Sequence, residues 1–332
     1  MNIGIINPFP FRPHNQNLVF IVNYLKKIKS NKLFFAECDG SPKICYNKLI
    51  FRNRPKQITC LGCRTFGLKS YLNEPFSKIS IQNIESKSLP NIDQNLVKSS
   101  LFTYNRSESP EDVHNIENDQ NFNLLLNETN KFKLAVKNWI DEKKLDAIIG
   151  FNGRIDLLKA SRIACSEKSI NFISVEMPWF GKGLLITPNE SPSGVCELKK
   201  IYKSYRNKPL TESQIIDVFQ PILKRFKKIN KSEYKQFNKD HLKIKWDKIN
   251  KRSTKKILFL PSSRSELLGD VNYQKSDWKH PLNGLKELIN NNLVNSHDII
   301  IRFHPIWSQK VFNKDGDNII HYYESFCKEN NI

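Results

Sequence analysis

A basic and an acidic residue follow two apolar segments in the middle of the chain, and together they could do acid–base chemistry. Arg154 ends the stretch 146–154, where an apolar run reaches an Asn-Gly corner, and Glu176 follows the apolar run 171–175. Residues 155–164 between them carry apolar side chains at helical spacing. A strand, helix and strand in this order form a right-handed βαβ unit, whose strands end at one edge of a parallel sheet. We therefore expect Arg154 and Glu176 to lie near each other.

We expect a ligand at this edge, because ligands of open α/β sheets bind beyond the carboxyl ends of the strands. The chemistry expected of a carboxylate at such a site is proton transfer. Glu176 is the first candidate for a general base. Arg154 would position a ligand or keep Glu176 ionised; alternatively, the two residues form an ion pair that only braces the corner. His14 follows a first predicted strand, 3–6, and is the rival base, although a lone histidine in a loop is more often simply solvated.

A second set of polar residues follows two later predicted strands, 256–260 and 297–303, which are separated by a helical pattern over 282–289. This repeats the strand–helix–strand order of the first unit. Hydroxyl groups, backbone N–H groups and cations at such an edge suit an anionic phosphate group. The candidates for phosphate binding are Ser262, Ser263, Arg264, Arg302 and His304.

Four of the seven cysteines lie close together in sequence, at Cys38, Cys45, Cys60 and Cys63. The last pair has the Cys-x2-Cys spacing of a zinc knuckle, with Gly62 easing the turn. The count predicts a structural zinc held by four thiolates. Four unligated thiols remain the alternative; disulfides are less expected in a reducing cytosol, and the residues after Cys63 do not resemble a redox helix start.

The composition is that of a globular protein, with 332 residues, 39% hydrophobic and 11% aromatic. The polar and Ser-rich stretch 75–120 predicts surface elements, and 122–144 predicts a long helix. No apolar run approaches membrane-spanning length, and the first residues do not resemble a signal peptide. We expect a cytoplasmic protein.

The net charge of +20 is concentrated in one segment. Lys199 to Lys256 holds 19 Lys and Arg against 5 Asp and Glu, a net charge of +14. One interpretation is a solvated face of a Lys-rich chain. Another is peripheral contact with the anionic inner face of the plasma membrane. A third is a nucleic-acid-binding protein that combines this segment with a zinc knuckle; we consider nucleic acid unlikely because the cysteines lie far from the basic run and no nucleic-acid module motif occurs.

These motifs, in this order, resemble bacterial capsule and surface-polysaccharide glycosyltransferases of the two-domain GT-B type. The resemblance rests on Phe-Asn-Gly-Arg ending at Arg154, Glu176 after the next strand, Ser262-Ser263 with nearby Glu266, and Arg302-x-His304-Pro305. It implies an α/β fold with two Rossmann-like, doubly wound domains. Residues 1–198 would form the acceptor domain with a Cys-rich insertion, 199–255 a basic helical connector, and 256–332 the start of a nucleotide-sugar domain.

The resemblance also implies the reaction. Such an enzyme moves a sugar from a nucleotide-sugar donor to a surface or capsular polysaccharide acceptor, which can be lipid-linked. His304 would contact the donor phosphate, helped by Arg302 and the turn from Ser262 to Glu266. No DxD-like acidic pair follows a predicted strand, so we expect a transfer that needs no catalytic metal. A non-catalytic relative that assists polysaccharide assembly is the alternative.

The second domain is expected to be incomplete. Only about 75 residues follow its first predicted strand, whereas a domain typically has on the order of 100 to 150. The Ser/Thr-Gly-x-Glu donor element of the family has no match in the chain. We therefore expect a truncated domain.

Overall fold

The structure is a computed structural model of the chain. It describes residues 1–11, 13–84, 93–178, 183–190, 196–227, 229, 256–265, 267–269, 278, 280–308 and 317–332.

A six-stranded sheet forms the centre of the fold. The strand bounds are β1 Asn2–Ile6, β2 Lys32–Cys38, β3 Phe76–Ile79, β4 Ala147–Phe151, β5 Asn171–Glu176 and β6 Leu185–Pro188. Their order is β3-β2-β1-β4-β5-β6, and only β6 runs antiparallel to its neighbour. A mostly parallel sheet flanked by helices is the α/β class that the alternating apolar runs predict, and it is compatible with a Rossmann-like domain.

Helices connect and cover the strands. Their bounds are α1 His14–Leu25, α2 Tyr46–Ile50, α3 Lys56–Phe66, α4 Asn95–Asn105, α5 Pro110–His114, α6 Phe122–Lys143, α7 Asp156–Glu167, α8 Cys196–Tyr205, α9 Glu212–Phe226, α10 Pro281–Asn290 and α11 Asp317–Glu329. Short 3₁₀ turns occupy Leu68–Tyr71, Ile116–Asn118, Ser296–Asp298 and Pro305–Ser308. Within the described residues, no helix is long and apolar enough to cross a membrane.

The main core lies between the central strands and helices α4, α6 and α7. Strand β4 is buried along its whole length, as expected for a central parallel strand covered on both faces. Helix α4 is also buried, through Leu96, Val97 and Leu101 among others. The prediction that 75–120 forms surface elements was therefore wrong for this helix. The serines of this helix made its sequence look exposed, but Ser99 and Ser100 are themselves fully buried.

A second, two-stranded sheet pairs β7 Ile257–Phe259 in parallel with β8 Ile299–Ile301. Helix α10 lies between these strands in sequence, so the predicted second strand–helix–strand unit is present. Its small core includes Leu282, Ile299, Trp307 and Tyr323. The two-domain GT-B architecture and the domain boundaries stay predictions.

The start of helix α9 has the capping-box geometry that the Thr-x-x-Gln sequence predicts. The Thr211 N–H donates to Gln214 Oε1 at 2.9 Å, and the Gln214 N–H donates to Thr211 Oγ1 at 3.3 Å. The further helix expected through Tyr234, Phe237 and Trp246 lies outside the described residues.

Candidate functional site

Glu176 lies at the carboxyl end of β5, where two hydrogen bonds hold its carboxylate. Asn152 Nδ2 donates to Glu176 Oε2 at 2.8 Å, and the Met177 N–H donates to Oε1 at 2.9 Å. His14 Nδ1 lies 3.3 Å from Oε1. The side chain of Glu176 retains 18% of its exposure, so solvent or a ligand can reach a carboxylate whose orientation is fixed.

His14 is close to Glu176, but it is not in a loop as predicted. It is the first residue of helix α1, and its ring stacks on Phe151 with 3.9 Å between the centroids. Burial lowers the pKa of His14 to about 4, so the imidazole is neutral at pH 7. The contact with Glu176 lacks hydrogen-bond alignment and, with neutral His14, is not an ion pair at that pH.

The expected pairing of Arg154 with Glu176 was wrong. No ion pair joins these two residues, both of which the structure describes; Arg154 is buried and its Nη1 donates to Thr103 Oγ1 at 2.8 Å. The position next to Glu176 belongs to Asn152, two residues earlier. The reason is the backbone of the Asn-Gly corner.

Asn152 and Gly153 both have positive φ, at 58° and 68°. This left-handed turn is one that Asn and Gly adopt more readily than other residues. It directs the Asn152 amide toward β5, while Asn152 Oδ1 accepts the Arg154 N–H at 3.1 Å. A Cβ at Gly153 would lie 2.9 Å from Ser174 Oγ and from the Phe172 ring. The corner therefore needs glycine at 153 and places an amide, not a guanidinium, against Glu176.

The turn after β7 binds a carboxylate of the chain itself. Ser263 Oγ donates to Glu108 Oε1, and the Arg264 N–H donates to Oε2 at 2.6 Å. The backbone and side chain of Ser265 donate to the same carboxylate. Burial raises the pKa of Glu108, and these hydrogen bonds oppose that rise. The turn thus has the donors expected of a phosphate site, but in the structure Glu108 occupies them.

The other candidates at this edge are more accessible. Ser262 and Arg302 are exposed, and His304 is half-buried. His304 Nδ1 accepts the Ile306 N–H at 3.3 Å. Glu266 lies outside the described residues. Ser262, Arg302 and His304 therefore remain candidates for a phosphate ligand, whereas Ser263 and the Arg264 N–H would first have to release Glu108.

A hydrogen-bond chain links the corner at Arg154 to the turn after β7. Thr103 Oγ1 accepts a hydrogen bond from Arg154. The same hydroxyl lies 2.8 Å from the Ser99 carbonyl and 3.1 Å from the Ser265 carbonyl, and it is aligned to donate to either of them. Arg154 is thus part of the contact between the first sheet and the second. This is a positioning role that the sequence did not reveal.

The four clustered cysteines come together around one small cavity, which Pro8, Gly40 and Leu157 also line. The zinc-knuckle turn predicted for Cys60 to Cys63 was wrong, because both residues lie inside helix α3. Their spacing of three places both thiols on one helix face. Cys63 Sγ accepts from Asn47 Nδ2 at 3.0 Å, and Cys38 Sγ accepts from the Gly40 N–H at 3.4 Å.

Burial disfavours the thiolate form of three of these cysteines. Burial raises the pKa of Cys38 to about 12, that of Cys63 to about 11, and that of Cys45 well above its ordinary value. Among the described residues, no group of three or more His, Cys, Asp or Glu side chains has the arrangement of a metal site. Thiolates are the ligands that zinc prefers, so the structural zinc stays a prediction that requires these side chains to move together.

Sequence reasoning missed two residues of the site, Asn152 and Glu108. The Asn-Gly dipeptide was visible, and its tendency toward positive φ was the signal for Asn152. Glu108 had no comparable signal, because it lies 155 residues before Ser263 in a polar loop.

No protein-family model matches this chain, and no curated protein or solved structure is significantly similar to it.

Proposed function

We propose that the protein is a glycosyltransferase that moves a sugar from a nucleotide-sugar donor to a hydroxyl group of a surface-polysaccharide acceptor, which can be lipid-linked. The observation that carries the proposal is the fixed, partly exposed carboxylate of Glu176 at the carboxyl edge of a parallel sheet. Ligands of such sheets bind at this edge, and a carboxylate there can accept a proton.

Glu176 acts as the base of the transfer. Its carboxylate takes the proton of the acceptor hydroxyl as that oxygen forms a bond to the anomeric carbon. The bond from this carbon to the donor's diphosphate breaks, and the nucleoside diphosphate leaves with the electron pair. Asn152 orients Glu176 through its hydrogen bond. His14 lines the site as a neutral ring, so it does not form an ion pair with Glu176 at pH 7.

The donor diphosphate is bound by cations and hydroxyl groups after β7 and β8. Ser262 and Arg302 are exposed there, and His304 is half-buried. The turn from Ser263 to Ser265 already binds an oxyanion, the carboxylate of Glu108, and this contact supports the binding of an anionic group there. A diphosphate that uses this turn has to displace Glu108.

The test uses the full chain and a panel of uridine, guanosine, adenosine and cytidine nucleotide sugars. Binding is measured by ligand-observed NMR, and turnover by release of the nucleotide. We expect at least one donor to bind and to turn over. Glu176→Gln should lower turnover by about 10²- to 10⁴-fold with unchanged donor binding, since it removes only the base. His304→Ala should weaken donor binding by about tenfold, the effect of one lost hydrogen bond to a charged group.

Glu167→Gln is the matched control, because Glu167 is a carboxylate at the end of α7 that pairs with Lys133 and Lys137. Its turnover should equal that of the unchanged chain. Donor binding without turnover would favour a non-catalytic role in polysaccharide assembly. Absence of any donor binding, or full turnover by Glu176→Gln, would contradict the proposal.

A further inference from the structure

Helices α8 and α9 expose apolar side chains in a way that the rest of the described chain does not repeat. Phe226 is 80% exposed, Tyr202 65% and Phe219 55%. The exposed apolar residues of these helices and of the connection between them are Ile201, Tyr202, Tyr205, Leu210, Ile215, Ile216, Val218, Phe219, Ile222, Leu223 and Phe226. Contiguous apolar surface of this kind marks an interaction site rather than ordinary surface.

The exposed residues of α9 form one continuous face. Ile215, Phe219, Ile222 and Phe226 recur at intervals of three and four residues, so they line one side of the helix. The opposite side carries polar residues, among them Ser213, Asp217 and Gln220. In α8, Ile201 and Tyr205 are likewise one turn apart. Both helices are therefore amphipathic with the apolar face uncovered.

Basic residues lie within and directly after both helices, and Lys203 and Lys224 are on their polar sides. Lys199, Lys200 and Lys203 lie in α8, Arg206 and Lys208 follow it, and Lys224 and Lys227 lie at the end of α9. The whole segment from Lys199 to Lys256 carries a net charge of +14. A helix with one apolar face and lysines on its polar face fits a surface that is apolar inside and negatively charged outside. An interfacial helix on an anionic membrane meets both conditions at once, whereas nucleic acid would leave the aliphatic side chains exposed.

We propose that α8 and α9 dock the protein on an anionic lipid bilayer, with the apolar face of α9 in the headgroup boundary and the lysines at the phosphates. The helices lie in the plane of the membrane and do not span it. This inference does not depend on the proposed transfer reaction, since docking is measured without a donor or an acceptor.

The test is sedimentation of the full chain with vesicles. One set is phosphatidylcholine alone, and the other is an equal mixture of phosphatidylcholine and phosphatidylglycerol. We expect the chain to bind the mixed vesicles and to be released by added salt, with much weaker binding to phosphatidylcholine. The double variant Phe219→Asp with Ile222→Asp should bind at least about tenfold more weakly, because two apolar side chains no longer enter the bilayer.

Ser213→Asp with Gln220→Asp is the matched control, because it adds the same charge to the opposite side of the same helix. It should keep most of the binding, and circular dichroism should show unchanged helix content in both variants. Equal loss in the two variants would mean that net charge alone matters and would overturn the docking face. So would a failure to bind mixed vesicles at low salt.

Two other occupants of the face are measured in parallel. Light scattering of the chain in solution reports self-association, and a labelled single-stranded DNA reports nucleic-acid binding. If the unchanged chain is a dimer that Phe219→Asp with Ile222→Asp dissociates, the face binds a second copy and the lipid proposal fails. DNA binding that is abolished by the same variant would also overturn it.

Discussion

His14 gives the site a titratable group whose behaviour follows from burial. Its ring is packed on Phe151 and faces Glu176, but desolvation outweighs this acidic neighbour and lowers the pKa to about 4. Glu176 consequently has a neutral neighbour at pH 7.

The lowered pKa predicts how stability depends on pH. Between pH 6.5 and about 4 the unfolded chain protonates His14 while the folded chain does not, so stability falls as the pH falls through this window. In the His14→Gln variant, the free energy of unfolding should fall less over this window, by up to about 3 kcal/mol, since each pKa unit corresponds to about 1.4 kcal/mol. Urea unfolding at a series of pH values measures it. His280, whose pKa is lowered to about 4 in the same way, is present in both proteins and cancels from the difference. Equal pH slopes for the two proteins would contradict the prediction.

At the scale of elements, close approach of the backbone explains how the turn after β7 meets helix α4. Gly269 has φ of 80°, and a Cβ at this position would lie 2.6 Å from the Ser99 N atom. Lys159 Nζ donates to the Gly269 carbonyl at 3.0 Å and fixes the contact. Only glycine fits here, because both the backbone conformation and the space exclude a side chain.

Gly269→Ala should therefore destabilise the protein by about 2 kcal/mol or more, through a strained φ and a clash with backbone. Gly62→Ala is the opposite case: Gly62 lies inside helix α3 and its Cβ would meet no atom within 4 Å. That substitution should stabilise the protein by about 0.5–1 kcal/mol, the helix preference of alanine over glycine. Thermal unfolding of the two variants tests both signs. Similar stability of the two variants would show that the Gly269 contact is not tight.

The segment from Cys38 to Cys63 carries the prediction of a structural zinc. The four thiols line one cavity, and deprotonation by a metal would have to overcome the burial that raises the pKa values of Cys38, Cys45 and Cys63. Reduced, freshly purified protein should contain about one zinc per chain, the stoichiometry of a four-thiolate site.

Elemental analysis measures this, with Cys60→Ser and Cys63→Ser expected to lose the metal. Cys327→Ser should retain it, because Cys327 lies in α11 and does not line the cavity. Protein that is free of zinc would leave four buried thiols as the correct description. Visible absorption from bound iron and sulfide would show that the four thiols hold an iron–sulfur cluster and not zinc.

At the scale of the whole molecule, the two sheets are joined through the turn after β7. Leu268 belongs to the main hydrophobic core, and Arg106 Nη2 donates to the Ile306 carbonyl at 2.6 Å. Glu108 adds the buried carboxylate that accepts from Ser263 and Arg264. The contact is therefore both apolar and hydrogen-bonded, and we expect the two parts to unfold together.

Glu108→Ala should destabilise the protein by about 2–3 kcal/mol, because it leaves several buried donors without an acceptor. Glu117→Ala should cost less than about 1 kcal/mol, since Glu117 forms only an exposed pair with Lys98. Urea unfolding gives both values, and hydrogen exchange of β7 and β8 shows whether the second sheet loosens first. Equal losses in the two variants would mean that Glu108 does not hold the sheets together.

The sequence by itself determined which residues end the strands. Apolar runs and helical spacing placed Glu176, Ser262 and His304 at carboxyl ends of parallel strands, because these periods decide where a strand or helix stops. The capping box at Thr211 was equally local and equally readable.

Only the tertiary structure decided which of these groups touch. Asn152 replaced Arg154 beside Glu176 because two positive φ angles redirected the chain at the corner, and Glu108 reached Ser263 across a long sequence separation. Contacts near 3 Å depend on backbone dihedral angles and on packing between distant segments. The periodicity of apolar residues within one segment carries no information about either. The same packing buried α4, whose sequence contains several polar residues, and left the apolar face of α9 uncovered.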